Sequence, residues 1–447
     1  MAGLYIHIPF CKSRCIYCAF YSTTDSALRQ RYVDAVIKEM APTPCPSRRE
    51  ESIETIYIGG GTPSQLTIPQ LQQLFYNIYK VYHLPSLREG QGVGFLPSLR
   101  EGKGVGFLPS LREGKGSGLE VTIECNPDDV TPEWAAALAP LGINRVSMGA
   151  QTFDDRRLRF LHRRHTAAQV EQAVRTLRAA GISNISIDLM YGFPGETLED
   201  WQRDIDAALA LGVEHLSAYC LMVEEGTALY EQMRNGENEK MRNGENEKMR
   251  KGGEEDREEE TERAMYELLI DRLTTAGYEH YEISNFALRP AGVPADQPSP
   301  YRSRHNSNYW NDTPYIGLGA AAHSYTPAAA TTLSGSPAES VAATAAIRSW
   351  NVSDLRQYIE AIEHGERPCE EEYLDEDTRY NDRITVALRT SDGLDLTTLS
   401  ERHRHYCMKE AHRFLSDGLL TLRGQHLVLT RRGLFVSDMV MSALMMV

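Results

Sequence analysis

Residues 5–20 read YIHIPFCKSRCIYCAF, in which a strand-like apolar run leads into a short loop that carries Cys11, Cys15 and Cys18. Spacings of three and then two residues between these cysteines allow their thiolates to surround one point. Three thiolates can bind three irons of a [4Fe-4S] cube and leave the fourth iron with an open coordination position. A structural zinc site would need a fourth ligand, and the nearest candidates are His7 and the distant Cys45. We therefore predict a [4Fe-4S] cluster in this loop, with zinc as the alternative.

The composition limits the classes of protein to which the chain can belong. Its 447 residues, 41% of them hydrophobic, suffice for one large core and a second, smaller domain. A formal net charge of -15 argues against nucleic-acid binding, which needs concentrated Lys and Arg. No run approaches the roughly 20 apolar residues of a membrane-spanning helix, and the N-terminus has no secretory signal pattern. Eight cysteines spread over this length are poor usage for a disulfide scaffold, so we expect a cytoplasmic protein with reduced thiols.

From residue 4 to about 290, short strand-like runs alternate with longer segments of helical periodicity, which is typical of βα units around a parallel sheet. The expected strands are 4–8, 53–58, 120–124, 143–148, 185–190 and 215–220. The expected helices lie near 26–40, 66–82, 131–139, 166–180, 197–211 and 261–276. Six units are too few to close an eight-stranded barrel. We predict an α/β fold with a partial, TIM-like (β/α)6 barrel, whose ligand chemistry lies at the mouth formed by the carboxyl ends of the strands.

Two tandem repeats interrupt this pattern. Residues 84–95, LPSLREGQGVGF, recur at 96–107, and the octapeptide MRNGENEK at 233–240 recurs immediately afterwards. Both units are short and rich in Gly and charge, and neither has the apolar face of a solenoid repeat. We interpret residues 84–118 and 233–256 as solvated insertions without a catalytic role, or as linkers to partners.

The rest of the chain divides into two further regions after a core domain at 1–290. Residues 291–376 are rich in Pro, Ala, Ser and Thr, which predicts an irregular connecting region. Residues 377–447 show helices followed by two strand-like runs around Arg423 to His426, a winged-helix-like pattern for a small α+β domain. Winged helices often bind DNA, but in this acidic chain we expect a packing module.

The block at 5–20 resembles the cluster loop of radical S-adenosylmethionine (SAM) enzymes, and the resemblance covers nearly the whole chain apart from the insertions. In that family the amino acid end of SAM chelates the open iron, and an electron from the cluster cleaves SAM to a 5′-deoxyadenosyl radical. More narrowly, the chain is similar to the branch that contains oxygen-independent coproporphyrinogen III dehydrogenase and the HemW-type heme chaperones. The resemblance implies a radical SAM barrel that binds a [4Fe-4S] cluster and SAM.

Residues expected to contact SAM follow the strands. A glycine turn after strand 2 contains Gly60, Gly61 and Thr62, and glycines there let the backbone approach a ligand, although such a turn alone can be merely tight. Carboxylates at the ends of strands 3 and 5, Glu124 and Asp188, can accept hydrogen bonds from the ribose or amine of SAM, or can serve as caps or paired loop charges. The resemblance adds Gln151, Arg163, Tyr5 and Tyr17, of which the tyrosine on strand 1 could equally be barrel packing.

The dehydrogenase and the heme chaperone differ in features visible in the sequence. The dehydrogenases carry a fourth cysteine where this chain has Phe20, and a long N-terminal extension where only ten residues precede Cys11. Residues 305–310, HNSNYW, match the HNxxYW block typical of the chaperone branch. His305 in this block could ligate heme, or it could belong to a packed, hydrogen-bonded corner. His323 and Cys220 are further heme-ligand candidates.

The sequence thus predicts a protein that binds heme and delivers it to a heme-accepting apoprotein, with the cluster and SAM retained. An electron donor would be a further partner if radical chemistry occurs, and no catalytic residue is assigned. The alternatives are an oxygen-independent coproporphyrinogen III dehydrogenase of porphyrin biosynthesis and a radical SAM enzyme with another substrate.

Overall fold

The computed structural model describes residues 2–40, 52–82, 84, 118–234, 255–327 and 345–446. Most of both repeats, at 85–117 and 235–254, lies outside these residues. The prediction that the insertions are solvated therefore stays a prediction.

Six parallel strands form the centre of the molecule and confirm the predicted partial barrel. These strands are β1 (Ala2–Ile8), β2 (Ile53–Gly60), β3 (Glu120–Cys125), β4 (Arg145–Gln151), β5 (Asn184–Tyr191) and β6 (His215–Cys220). They pair in sequence order, each parallel to the next. The helices between them are α1 (Arg29–Met40), α2 (Ile68–Val81), α3 (Pro132–Leu138), α4 (Asp155–Phe160), α5 (Ala167–Ala179) and α6 (Leu198–Ala210).

Local sequence signals set the helix boundaries. Helix α2 begins after Thr67, whose side chain accepts a hydrogen bond from the backbone of Gln70 while the Gln70 side chain bonds back to the Thr67 backbone. Helix α6 begins in the same way, with Thr197 and Asp200 as the reciprocal pair. These capping boxes satisfy amide groups that the first turn of a helix leaves without a partner, so each helix starts at a defined residue after its strand.

Side chains on the strands alternate between two environments. On β1, Leu4 and Ile6 are fully buried in the apolar layer between sheet and helices. Tyr5 and His7 point to the other face, where Tyr5 stacks on Tyr57 of β2. Successive strand residues point to opposite faces of the sheet, so polar and aromatic side chains such as those of Tyr5 and His7 point into the barrel interior. The core therefore lies outside the barrel, and its interior is left for ligand chemistry.

Further strands extend this sheet at both edges. After α7 (Glu255–Thr275), β7 (Tyr278–Glu282) and β8 (Asn285–Leu288) form a hairpin whose second strand pairs antiparallel with β6. Helix α8 (Arg304–Trp310) precedes β9 (Tyr315–Leu318), which pairs parallel with β1. Outward from β9 follow β10 (His323–Thr326), β11 (Ala346–Asn351) and β12 (Cys369–Leu374), with α9 (Leu355–His364) between the last two.

The region at 291–376 is therefore more regular than expected. Its strands are short, and β10 (HSYT) and β12 (CEEEYL) lack the apolar alternation that identifies a strand in a sequence. They are held instead by main-chain pairing to a sheet that already exists. Tertiary pairing of this kind overrides weak local propensity.

The C-terminal region has its own hydrophobic core and a winged-helix-like order of elements. Its helices are α10 (Glu376–Ala387), α11 (Glu401–Ser416), α12 (Arg431–Leu434) and α13 (Ser437–Leu444). Its strands are β13 (Leu394–Asp395), β14 (Leu420–Arg423) and β15 (His426–Leu429), which form a small antiparallel sheet with β15 in the centre. Within the described ranges, no helix is both long and apolar enough to cross a membrane.

Candidate cluster and ligand site at the barrel mouth

The cysteine loop follows β1 at the mouth of the barrel and is tied down at both ends. The amide of Cys11 donates to the carbonyl of Thr23 (2.9 Å), and the amide of Thr23 donates to the carbonyl of Pro9 (2.7 Å). In the middle of the loop, the amide of Leu229 donates to the carbonyl of Ile16 (2.9 Å), which joins the loop to the segment after β6. The loop thus presents its three cysteines, all partly exposed and free of disulfides, from a defined backbone.

The three thiols lie near one another and near a cation. Burial raises the pKa of Cys11 and of Cys18, and the neighbouring loop cysteines raise both further. Arg163 Nη1 lies 3.6 Å from Sγ of Cys15, and the Thr62 hydroxyl donates to Sγ of Cys11 (3.3 Å). A cationic and a neutral donor thus stand where thiolate charge would form, which fits thiolates that ligate iron.

Among the described residues, no three His, Cys, Asp or Glu side chains converge closely enough to hold a single metal ion. In a four-iron cube each thiolate binds a different iron, so the ligating sulfurs stand farther apart than around one ion. The choice between a cluster and the alternative zinc site therefore stays a prediction from the sequence.

The glycine turn after β2 is packed closely against the end of β1. Gly60 has a φ of +107°, and a Cβ on it would lie 2.4 Å from the imidazole ring of His7. A Cβ on Gly61 would lie 2.8 Å from the carbonyl oxygen of Ile8. Glycine is thus required at both positions by backbone conformation or by space. The turn also contains Thr62, so it contacts the cluster loop directly.

Glu124 stands at the end of β3 and holds the glycine turn in place. Its carboxylate accepts from the Tyr57 hydroxyl (2.8 Å) and from the backbone amide of Gly60 (3.0 Å). Burial raises the pKa of Glu124 to about 7, and these two hydrogen bonds oppose the rise. A carboxylate that titrates near neutrality can switch between accepting and donating a hydrogen bond at the mouth.

Asp188 lies across the barrel on β5, partnered by serine hydroxyls. The Ser147 hydroxyl is 3.5 Å from one of its oxygens. Burial raises the pKa of Asp188 to about 6, while the buried guanidinium of Arg145 lowers it. The side chain of Arg145 makes no hydrogen bond or ion pair within the described residues, and its Nε is buried without a partner. Its positive charge lowers the pKa of both Glu124 and Asp188. In the sequence, Arg145 is recognisable only as a residue at the start of a strand.

Arg163 and Gln151 meet over Gly149 on β4. A Cβ at Gly149 would lie 2.6 Å from Nε2 of Gln151 and 3.0 Å from Nη2 of Arg163. Arg163 also donates to the side-chain oxygen of Asn126 (2.7 Å) and to the carbonyl of Gly149. Gln151 has a φ of +68° at a register shift in β4, and its side chain lies close to Gly149. The expected pair is thus brought together beside the cluster loop.

The two tyrosines occupy different depths. Tyr5 lies in the barrel interior, where its hydroxyl bonds Nδ1 of His7 (3.0 Å) and its ring stacks on Tyr57. Burial raises the pKa of Tyr17, and Cys15 and Cys18 raise it further, which places this ring beside the cysteines. Tyr17 therefore lies with the cluster loop, while Tyr5 supports the interior beneath it.

His305 does not lie at the mouth. It follows the start of α8 near the amino ends of β1 and β2, and its ring stacks on Tyr57 with centroids 5.1 Å apart. Nδ1 bonds the Thr55 hydroxyl and Nε2 bonds the Tyr309 hydroxyl, both at 2.9 Å. Burial lowers the pKa of His305 to about 3, so the ring is neutral. These contacts favour the packed, hydrogen-bonded corner, and heme ligation by His305 stays an untested prediction.

The two other heme-ligand candidates differ in access. His323 begins β10 and is exposed, with its ring stacked on Trp350 at 5.9 Å and no hydrogen bond to its ring nitrogens within the described residues. Cys220 ends β6 beside Glu262 of α7, and burial raises the pKa of its thiol to about 12. The imidazole is therefore accessible from solvent, whereas the thiol is only partly exposed and has a raised pKa.

Asp129 joins the loops of the mouth, and the sequence did not identify it as part of the site. Its carboxylate accepts from Lys12 of the cluster loop (2.7 Å) and from Ser64 and Gln65 after the glycine turn (2.9 and 2.6 Å). Arg164 adds an ion pair at 3.3 Å. One carboxylate thus locks three loops of the mouth together. Its only sequence signal is the acidic pair after β3, which also suits an ordinary loop.

Comparison with known proteins agrees with this architecture. The radical SAM superfamily profile matches residues 5–208, and the HemN C-terminal domain profile matches 374–436. The heme chaperone HemW of Mycobacterium tuberculosis is 30% identical over 99% of this chain and 94% of its own length. The heme chaperone HemW of Bacillus subtilis is 30% identical over 90% of this chain and 87% of its own length.

Among solved structures, coproporphyrinogen III oxidase (HemN) from Escherichia coli superimposes with a TM-score of 0.71 at 18% identity. The superposition covers 99% of this chain and 89% of that one, which shows a shared fold. The three-cysteine loop, the parallel barrel and the near full-length similarity lead to one assignment. The chain belongs to the HemW heme chaperone family of the radical SAM superfamily.

Proposed function

We propose that the protein binds a [4Fe-4S] cluster through Cys11, Cys15 and Cys18 and binds SAM beside it. The neighbouring thiols and the guanidinium and hydroxyl beside them support this proposal. When bound, the cluster supplies an open iron and an electron for SAM cleavage. The chain's own residues fix the loop and balance its charge.

The residues around the loop match the polar groups of SAM. Arg163 would pair with the SAM carboxylate, because a guanidinium beside the loop cysteines is a suitable partner for that group. Glu124 and Asp188 accept hydrogen bonds from the amine and the ribose. The other SAM contacts in this proposal are Tyr5, Tyr17, Gly60, Gly61, Thr62 and Gln151.

The principal function in this proposal is to bind heme and to deliver it to a heme-accepting apoprotein in the cytoplasm. The observation that carries it is the 30% identity, over nearly the whole chain, to proteins named as heme chaperones. Phe20, which is 71% exposed, stands where the dehydrogenases carry a fourth cysteine. The cluster and SAM then serve assembly or regulation, and an electron donor is needed only if SAM is cleaved.

Among the three ligand candidates named from the sequence, His323 is the one whose imidazole is accessible. His305 has both ring nitrogens engaged by Thr55 and Tyr309, so heme ligation would require breaking that corner. His305→Ala should therefore lower stability through the lost hydrogen bonds and leave the heme spectrum unchanged.

A hemin titration of the anaerobically reconstituted protein tests the proposal. We expect saturation at about one heme per chain and retention of heme through gel filtration. His305→Ala serves as the matched comparison, because it alters the HNxxYW block without removing an accessible ligand. Failure of the wild-type protein to retain heme would contradict the chaperone function.

A further inference from the structure

A cleft separates the floor of the barrel from the C-terminal domain. Its volume is about 820 Å³, in the range that holds drug-sized organic ligands. One wall comes from the end of α8 and the segment before it, and the other from α10 and the small β13–β15 sheet. None of the residues expected to bind SAM or heme lines this cleft.

The HNxxYW block contributes a different residue to the cleft than to the barrel. His305 faces the barrel and is fully hydrogen-bonded. Trp310, at the other end of the block, lines the cleft next to Tyr281, with ring centroids 6.0 Å apart. Leu394 lines the cleft from the C-terminal domain. An indole on one wall and an apolar side chain on the other suit a flat aromatic ligand.

An imidazole that makes no hydrogen bond within the described part of the chain also lines the cleft, opposite Asp395 of the neighbouring strand. His426 begins β15, and neither of its ring nitrogens has a hydrogen-bond partner within the described residues. Its Nδ1 is buried without a partner. An uncompensated buried nitrogen is unfavourable in a protein, and a neutral imidazole is a common ligand of heme iron. His426 is thus free to ligate, whereas His305 is not.

Three arginines and three aspartates line the cleft, and most of these charges are paired within the protein. Arg302 is paired with Asp392 (2.8 Å), and Arg383 with Asp312 (2.7 Å). In each of these ion pairs, the aspartate neutralises the charge of the arginine. Arg304 also lines the cleft with a side chain that is 43% exposed, and its guanidinium pairs with Glu54 at 3.6 Å and donates to the carbonyl of Gly118. A partly solvated guanidinium of this kind suits the propionate of a porphyrin.

We propose that this cleft between the barrel floor and the C-terminal domain binds heme, with His426 as an axial ligand and Trp310 against the porphyrin plane. The proposal rests on the heme-binding function and names where heme is held. It assigns the HNxxYW block to heme binding through its tryptophan. The C-terminal domain is then part of the heme site.

Titration with hemin and with iron-free protoporphyrin IX separates ligation from shape recognition. His426→Ala should weaken hemin binding at least tenfold and shift the Soret band, yet leave protoporphyrin IX binding unchanged. Thr398→Trp, an exposed position that lines the cleft, should obstruct it and weaken both ligands. His405→Ala, an exposed histidine elsewhere in the same domain, is the matched control and should behave as wild type.

The outcomes distinguish this site from the function on which it rests. If the wild-type protein binds hemin and both cleft variants bind it equally well, the cleft is not the heme site. In that case, loss of hemin binding in His323→Ala would place the heme site at the mouth. If the wild-type protein binds no hemin, the chaperone function itself fails, and this proposal with it. His426→Phe keeps an aromatic ring without a ligating nitrogen, so a weakened His426→Ala and an unaffected His426→Phe would also overturn ligation.

Discussion

Replacing Gly60 by Ala tests whether the glycine turn is held by the packing that the structure shows. A φ of +107° is essentially restricted to glycine, and another residue there costs about 1–3 kcal/mol. The added Cβ would lie 2.4 Å from the His7 ring, so the ring must move. That ring bonds the Tyr5 hydroxyl and the carbonyl of Tyr21, each at 3.0 Å, and losing both bonds costs about 1 kcal/mol each. The total is about 3–5 kcal/mol.

Gly181→Ala is the matched control, because Gly181 has a φ of +89° but no atom within 4 Å of an added Cβ. A left-handed conformation alone costs about 1–2 kcal/mol. Urea denaturation of both variants should therefore show Gly60→Ala to be the less stable by about 1–4 kcal/mol. Equilibrium dialysis should show SAM binding weakened at least tenfold in Gly60→Ala and unchanged in Gly181→Ala. Equal stability and equal SAM affinity in the two variants would refute this account of the turn.

Three other predictions follow from the same site. Cys11→Ala, Cys15→Ala or Cys18→Ala should each abolish the cluster absorbance and the roughly four irons per reconstituted chain, while Cys369→Ala and Cys407→Ala should not; stoichiometric zinc without reconstitutable iron would restore the zinc alternative. SAM affinity should rise from pH 6 to pH 8, because the raised Glu124 pKa of about 7 means that its carboxylate ionises across that range, and Glu124→Gln should flatten the profile; an unchanged slope in the variant would remove this carboxylate from the SAM site. Deletion of residues 85–116 should leave SAM binding intact, since polar repeats bury little apolar area and loop closure depends weakly on length; a folded deletion variant that no longer binds SAM would contradict this.

The cluster loop and the barrel were predictable from the sequence because their signals are local. Cys11, Cys15 and Cys18 lie within eight residues, and their spacing alone indicates a shared site. The strand and helix order follows from periodicity, and parallel strands bring their carboxyl ends to one mouth. Glu124 and Asp188 could therefore be placed at strand ends without any knowledge of their partners.

The supporting contacts were not predictable, because they join distant segments. Asp129 accepts a hydrogen bond from Lys12, which lies 117 residues away in the sequence. No local pattern identifies such a pair. Arg145 carries a charge in a buried interior, which its place at the start of a strand does not reveal. For His305, the HNxxYW motif was equally compatible with a heme ligand and with a packed, hydrogen-bonded corner. The placement of α8 against Thr55 favours the packed corner, and it could not be predicted from the sequence.

The most direct test of the account is an assay for protoporphyrinogen IX. Reconstituted wild-type protein is incubated anaerobically with SAM, a reductant and coproporphyrinogen III, and heme binding is measured on the same preparation. We predict one bound heme per chain and no protoporphyrinogen above the level of a Cys11→Ala variant. Formation of protoporphyrinogen that depends on the cluster would contradict the chaperone assignment and identify the protein as a coproporphyrinogen dehydrogenase.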